Sequence, residues 1–301
     1  MAGGEVAARG GLAGGCGMSE PLLNPSLARA RSFLFVPATR PERYAKALAS
    51  GADAVIIDLE DAVAPVDKTA ARQMLAQAWP GLPAAQRGRV LVRLNASDTE
   101  WHGDDLVLLG TLGVVGVALP KAESAADLAR VAAAMGPACA LLPMIESVAG
   151  LDAIDALARS PQVLRLAFGN LDFQADAGMA CGPDEPELTA VRLALVLSSR
   201  RACRAAPVDG VTVGTQDIAQ LQRDALHSRR GGFGGKLCIH PSQVSLVNAA
   251  FTPSPAELDW ARRVLAAFET AGGGVFSLDG RMVDAPVLLL ARRTLAQSQA
   301  G

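Results

Sequence analysis

The sequence predicts an α/β chain, a (β/α)8 TIM barrel followed by a C-terminal helical and extended appendage. Three observations carry that reading. Short apolar runs alternate with helix-like segments eight times, the signature of parallel βαβ units. Alanine, leucine, valine and glycine dominate, as helices packed on buried parallel strands require. Eight such repeats in roughly 250 residues fit a closed barrel better than an open doubly wound sheet. The chain divides into residues 1–30, a flexible N-terminal tail, residues 31–251, the barrel, and residues 252–301, an appendage that either covers the barrel's mouth or docks on a neighbouring subunit.

Taken in order, residues 1–17 are glycine-dense and lack both a basic start and a continuous apolar stretch. They read as a tail and not as a signal peptide, with Met18 as an alternative start. Ser32–Pro37 is the first apolar run, and a short helix over about 41–50 follows. Asp53–Leu59 is the second strand and ends in Glu60-Asp61. Pro65–Trp79 is helical, with Lys68 and Arg72 four apart on one face. Arg89–Leu94 is the third strand, with Arg93 near its end. Val114–Leu119 is the fourth and ends in Pro120-Lys121, and Ser124 caps the next helix.

Strands five and six, 139–145 and 163–168, each stop at a polar loop, the first opening with Glu146 and the second carrying Asp172. Between them 147–160 reads as a helix capped by Ser147 and stopped by Pro161. A long helix over about 185–206, strand seven at Val208–Val213, a helix over about 217–229 and strand eight at Lys236–Ile239 complete the repeat. In the appendage, Ser254-Pro255 opens a helix, Gly272–Gly274 breaks it, 275–284 is extended or turned, and a last helix starts at Pro286.

Half of the residues are hydrophobic, 19% are charged and the net charge is -2. That leaves no electrostatic footprint for nucleic acid or an anionic membrane. At 4% aromatics there is no base-stacking platform, and no apolar run is long enough to span a bilayer. The five cysteines lack metal-type spacing and read as core thiols of a cytoplasmic, reducing compartment.

The chemistry concentrates at the predicted strand ends, where barrels of this class carry their active sites. Neighbouring parallel strands lie about 4.8 Å apart, so Glu146 and Asp172 come within reach of one hard divalent cation. Magnesium takes one or two carboxylates and keeps its other positions for water and substrate oxygens. The alternative role for both acids is to complement helix N-termini. Gly169 lets the backbone amides of Gly169, Asn170, Leu171 and Asp172 approach an oxyanion or carboxylate. Arg93 either forms a structural ion pair with Glu60 or Asp61 or forks onto a substrate carboxylate. Glu60 or Asp61 supports the metal through water or pairs with Lys68 or Lys121, and Asp58 is structural.

Gly231–Lys236 is no phosphate loop, because Leu237 stands where Ser or Thr is needed and a strand follows. His240 reads as a hydrogen-bonded core or rim residue, and His102 and His227 as surface residues. Asp279-Gly280 reads as a turn. Asp284 either caps the last helix or serves as a base if the appendage reaches an active site.

The stretches R-S-F-L-F-V-P (31–37), G-A-D-A-V-I-I-D-L-E-D-A-V (51–63), V-R-L-N (92–95), L-P-K (119–121), P-M-I-E-S (143–147), F-G-N-L-D (168–172), G-K-L-C-I-H-P-S-Q (235–243) and D-G-R-M-V-D-A-P (279–286) resemble the citrate lyase beta-chain family. That family is similar in fold to the HpcH/HpaI aldolases. Asp61 stands where the pyruvate aldolases carry a histidine, which argues against that branch. The resemblance implies that Glu146 and Asp172 bind Mg2+, that Glu60 and Asp61 lie just behind the metal, and that Arg93 holds the carboxylate of the oxo or hydroxy acid. It implies a homotrimer or hexamer in which Asp284 enters the next subunit's site.

The expected reaction is a reversible Claisen cleavage of a citryl-CoA or malyl-CoA type thioester to acetyl-CoA plus oxaloacetate or glyoxylate, with Asp284 as base. A malyl-CoA-type thioesterase and a subunit of an acyl-carrier citrate lyase complex are the alternatives. The expected partners are therefore an acyl-CoA or acyl-carrier thioester and an oxo acid.

Overall fold

The structure is a computed structural model that describes residues 23–271 and 274–298. Eight parallel strands close into a barrel in sequence order. The first half runs α1 (Pro25–Arg29), β1 (Ser32–Pro37), α2 (Tyr44–Ala49), β2 (Ala54–Asp58), α3 (Lys68–Ala78), α4 (Ala84–Arg87), β3 (Val90–Arg93), α5 (His102–Leu112), β4 (Gly116–Leu119) and α6 (Ala125–Met135). The second half runs β5 (Ala140–Ile145), α7 (Val148–Asp152), α8 (Ile154–Arg159), β6 (Ala167–Phe168), α9 (Asn170–Asp176), α10 (Thr189–Arg201), β7 (Val208–Asp209), α11 (Ile218–Gly231), β8 (Gly235–Cys238) and α12 (Pro241–Phe251).

Side chains alternate along each strand. Phe33, Ile56, Leu91, Ala118, Leu142, Met144 and Leu237 fill the barrel interior. Val55, Ile57, Val92, Val117 and Leu141 face the surrounding helices. The register sets Pro37 beside Asp58, Asp58 beside Arg93, and Ile145 beside Phe168. Counting by twos from the interior residues, Asp58 follows Ile56, Arg93 follows Leu91 and Glu146 follows Met144. The period that buries the apolar interior therefore also aims these three charges into the barrel's C-terminal mouth.

Residues 1–22 lie outside the described part, but 23–30 are not a tail. Asn24 accepts a hydrogen bond from Leu27 N and caps α1, with Pro25 at its first position. Leu27 is buried in the interior cluster. The fully buried Arg165 donates to the carbonyls of Leu27 and Ala30, so α1 closes the barrel's N-terminal end. A five-residue helix is too short to show periodicity in sequence.

Other departures are smaller. The helix expected over 147–160 breaks at Ala153, and the one expected over 185–206 becomes regular only at Thr189. Of the sixth apolar run only Ala167–Phe168 pairs as strand, while Val163 makes a single bridge to Leu141. Strand seven is likewise reduced to Val208–Asp209.

The appendage consists of α13 (Pro255–Thr270), the hairpin β9 (Phe276–Leu278) and β10 (Arg281–Val283), and α14 (Ala285–Ser298). Ser254 and Glu257 form a capping box at the start of α13. Asp279 and Gly280 turn the hairpin with positive φ, as their pairing predicts. Ala261, Val264, Val283, Leu288 and Ala291 form a core that shares no residue with the barrel's two. Among the described residues no helix is long and apolar enough to cross a membrane.

Candidate active site

The mouth of the barrel is built around Arg93. Its Nε and Nη2 fork onto Asp58 at 2.7 and 2.6 Å, and Nη1 lies 2.9 Å from Glu60. Asp61, more than half exposed, is 3.8 Å from the same nitrogen. The guanidinium also sits over the Phe35 ring at 4.7 Å. Burial disfavours the charge of Arg93, but Asp58, Glu60 and Glu146 outweigh it and raise its pKa.

Both readings of Arg93 therefore meet in one side chain. The structural partner is chiefly Asp58, adjacent in the register, and this is the structural role expected for that acid. The five N–H groups of a guanidinium leave the Nη1–Nη2 edge with donors to spare for a carboxylate.

Asp58 also ties down the loop it begins, accepting from Glu60 N at 2.9 Å and Ala62 N at 3.0 Å. Lys68 forms no ion pair with these acids. Its ammonium donates to the carbonyls of Leu59 and Glu60, both at 2.8 Å, and to Asn95 Oδ1 at 2.6 Å. Asn95 is held in turn by Asp105. His102 is buried with Nδ1 2.8 Å from the Asn95 carbonyl, which corrects its surface placement: α5 begins there and packs under the β3 loop. His227 is exposed, and His240 caps α12 on the rim.

Glu146 is buried, with Oε2 accepting from Lys121 N at 2.8 Å. A Cβ on Gly169 would lie 2.5 Å from its Oε1, so only glycine fits beside it. Burial, reinforced by the charges of Asp172 and Glu60, outweighs Arg93 and the Lys121 amide and pushes the Glu146 carboxyl up to about 8. Burial likewise pushes Glu60 up to about 7, against Arg93 and with the help of Asp61 and Asp58. Asp172 is half-buried in the first turn of α9, within electrostatic reach of Glu146 and Lys121. Lys121 Nζ lies 3.6 Å from Glu60 Oε1.

The cluster thus carries more negative than positive charge. Among the described residues no three His, Cys, Asp or Glu side chains converge as a complete metal cage. Two carboxylates suit a cation that leaves its other positions to water and substrate, and the raised Glu146 marks the unmet charge. The donor chemistry fits Mg2+ at Glu146 and Asp172.

The 169–172 loop is only partly as expected. Gly169 N is already bonded to Ile145 O at 3.0 Å, so that amide is not free for a ligand. The amides of Asn170, Leu171 and Asp172 open α9, where a helix leaves N–H groups without intrahelical acceptors. The Asn170 side chain is buried and turned to structure: Oδ1 accepts from Val211 N, and Nδ2 donates to Glu185 and to Val211 O. Glu185 pairs with Arg192, and Arg192 with the buried Asp209. The separation of these residues in sequence hides this network, whose one local sign is Arg192 within the apolar first half of α10.

Asp284 does not join the mouth within this chain. Its Oδ1 accepts from Val287 N at 3.3 Å and caps α14, and among the described residues no hydrogen bond or ion pair links it to the mouth. Cys139 and Cys238 are free and buried, and burial pushes both thiols up to about 12. They are core residues and not nucleophiles.

Comparison with known proteins agrees with the barrel fold. The profile of the HpcH/HpaI aldolase/citrate lyase family matches residues 31–241. A profile described as a C–C bond lyase of the TIM-barrel fold matches 197–300. A (3S)-malyl-CoA thioesterase of Cereibacter sphaeroides is 37% identical over 273 residues, covering 90% of this chain and 95% of the relative. A citrate lyase subunit beta-like protein of Mycobacterium tuberculosis is 37% identical over 271 residues, covering 88% and 94%. The crystal structure of protein CitE from that organism, in complex with magnesium, acetoacetate and coenzyme A, superposes with a TM-score of 0.80 at 35% identity, covering 91% of this chain and 100% of that one. The barrel, the acids at its mouth and a profile match across most of the chain lead to one conclusion: the chain belongs to the HpcH/HpaI aldolase/citrate lyase family.

Proposed function

We propose that the chain is a Mg2+-dependent carbon–carbon lyase. It cleaves a 3-hydroxy-acyl thioester of the citryl-CoA or malyl-CoA type, reversibly, to acetyl-CoA and oxaloacetate or glyoxylate. The observation that carries this reading is the acid cluster itself: Glu146 and Asp172 lie within electrostatic reach of each other, beside an Arg93 whose Nη nitrogens, paired with Asp58 and Glu60, keep further N–H groups for a carboxylate. The CitE structure bound to magnesium, acetoacetate and coenzyme A supports the same ligand classes here.

Glu146 and Asp172 hold the ion, with Glu60 and Asp61 behind it. When bound, it supplies Lewis-acid polarisation of substrate oxygens. Arg93 and the amides of Asn170, Leu171 and Asp172 orient the oxo-acid portion. A carboxylate takes the proton of the 3-hydroxyl, the C–C bond breaks, and its electron pair passes to the thioester enolate.

We assign that base to Asp284 of a neighbouring copy, in a homotrimer or hexamer. Met282, Leu289 and Leu290 are exposed near Asp284 on the appendage. Val148, Leu171, Val213, Ile218 and Ile239 are exposed after the barrel strands. These two apolar surfaces suit burial against each other.

The test is a product-resolved assay of citryl-, malyl- and methylmalyl-CoA with and without Mg2+. Oxo acid formed only with Mg2+, and lost in Asp172→Ala, is the expected result. Turnover in a chelated sample, or unchanged kinetics in that variant, would overturn the metal assignment. The malyl-CoA thioesterase relative favours a second reading, in which the same site aims water at the thioester. Free hydroxy acid and CoA without oxo acid would establish it. An acyl-carrier thioester tested beside each CoA ester separates a free-standing enzyme from a subunit of a carrier complex.

A further inference from the structure

Lys121 is not accounted for by the reaction above. It follows β4 with φ of 45°, in the left-handed region that a side-chain-bearing residue rarely adopts. Strained backbone of this kind persists only where the surroundings over-determine it. Here two contacts do so. The Lys121 amide donates to Glu146 Oε2 at 2.8 Å, and the ammonium sits 3.6 Å from Glu60 Oε1.

Four carboxylates act on that ammonium: Glu60, Asp61, Glu146 and Asp172. The other cation of the mouth, Arg93, is already forked onto Asp58 and paired with Glu60. Lys121 is therefore the more exposed and less tightly paired positive charge of the cluster. Its side chain is about half exposed, at 46%, and its 3.6 Å contact with Glu60 is longer than a direct hydrogen bond.

We propose that Lys121 is a resident counter-ion of the acid cluster, which an entering divalent cation must work against and which then turns to the carboxylate of the incoming oxo acid. One residue thus plays two parts. Its amide orients Glu146 for the cation, while its side chain makes cation binding weak until an acid substrate arrives. The proposal rests on the assignment of Glu146 and Asp172 as the cation's ligands, and it adds that cation and oxo acid bind cooperatively.

The test is calorimetric titration of Mg2+ into the full-length protein, alone and with oxaloacetate present, blanks for oxaloacetate–Mg2+ binding being subtracted. Lys121→Met should bind Mg2+ about tenfold tighter than the parent, because a like charge a few ångströms away is gone. Oxaloacetate should tighten Mg2+ binding to the parent and should not do so in Lys121→Met. Lys121→Arg keeps the charge and should stay within about twofold of the parent in both titrations.

Thermal melting checks that each variant is folded, and Lys121→Gln substitutes for the Met variant if that one is not. Parent-like or weaker Mg2+ affinity in folded Lys121→Met or Lys121→Gln overturns the proposal. If Glu146→Gln and Asp172→Asn leave the Mg2+ titration of the parent unchanged, the ligand assignment has failed and the proposal fails with it.

Discussion

Glu146 and Gly169 determine each other's position. A methyl group at 169 would stand 2.5 Å from Glu146 Oε1, so Gly169→Ala must push the carboxylate away. We expect that variant to lower Mg2+ affinity by about tenfold or more while the barrel stays folded, as disturbance of a ligand's supporting shell generally does. Calorimetry beside thermal melting measures both.

Arg93→Lys cannot reproduce the fork onto Asp58 and leaves that buried acid with two backbone amides and a single flexible ammonium. A loss of about 3 kcal/mol in denaturant unfolding is expected.

The carboxyls predict a pH dependence whose sign is fixed by burial. Glu60 and Glu146 are raised from 4.5 to about 7 and about 8. Above pH 4.5 the unfolded chain has released protons that the folded chain still holds. Without added divalent cation, stability should therefore fall as pH climbs from 4.5, with the Glu60 part complete by about 7 and the Glu146 part by about 8. Melting temperatures across that range should show the decline, Glu146→Gln should flatten it, and saturating Mg2+ should reverse it. Mg2+ affinity itself should rise with pH over the same range, since the ion needs the deprotonated carboxylates.

At the scale of elements, the loop from β6 into α9 is held from behind. Asn170 is locked to Val211 and Glu185, Glu185 to Arg192, and Arg192 to Asp209. A Cβ at Gly210 would collide with the Asn170 side chain, so the β7 loop is shaped to receive it. Asp209 is buried, yet Lys236, Arg192 and the Ser228 hydroxyl outweigh that burial and hold its pKa low.

Arg192→Met should cost about 3 kcal/mol in urea unfolding, because it removes one of the two cations that offset the buried Asp209 and leaves Glu185 without the Arg192 ion pair. It should also raise KM for the oxo acid as α9 loosens. Reading 169–172 as one cradle merged two jobs. The main chain of 170–172 opens α9 with amides that lack intrahelical acceptors, whereas the Asn170 side chain faces inward structure. Nothing local in F-G-N-L-D separates them, because the partners lie 15 to 41 residues away.

At the scale of the molecule, α1 and the appendage frame the barrel differently. Arg165 is fully buried and is bonded to the carbonyls of Ala206, Leu27 and Ala30. Burial pulls its guanidinium down to about 9. Removing the chain through Ala30 takes away two of those carbonyls and the Leu27 plug. We expect a loss of about 3 kcal/mol or more, read by thermal and denaturant melts.

The appendage has its own apolar core, so deleting 252–301 should leave a folded barrel with no lyase turnover. Mixing Asp172→Ala with Asp284→Ala after reversible dissociation should restore activity that neither variant has alone. Failure to complement would remove the shared-site assignment.

The barrel was legible in the chain because its cause is local and repeated. Apolar runs of fixed length, alternating with helical periods, admit few packings, and strand ends collect at one rim. The same period of two that fills the interior with Phe33, Ile56, Leu91 and Met144 also placed Asp58, Arg93 and Glu146 in the mouth. Which acid pairs with which base was not local. Asp58 took Arg93 because β2 and β3 are in register there, Lys68 went to carbonyls and Asn95, and Arg192 reached Asp209. A charge in sequence announces only that it needs a partner. Burial and distance, which exist only after the chain has closed on itself, choose the partner.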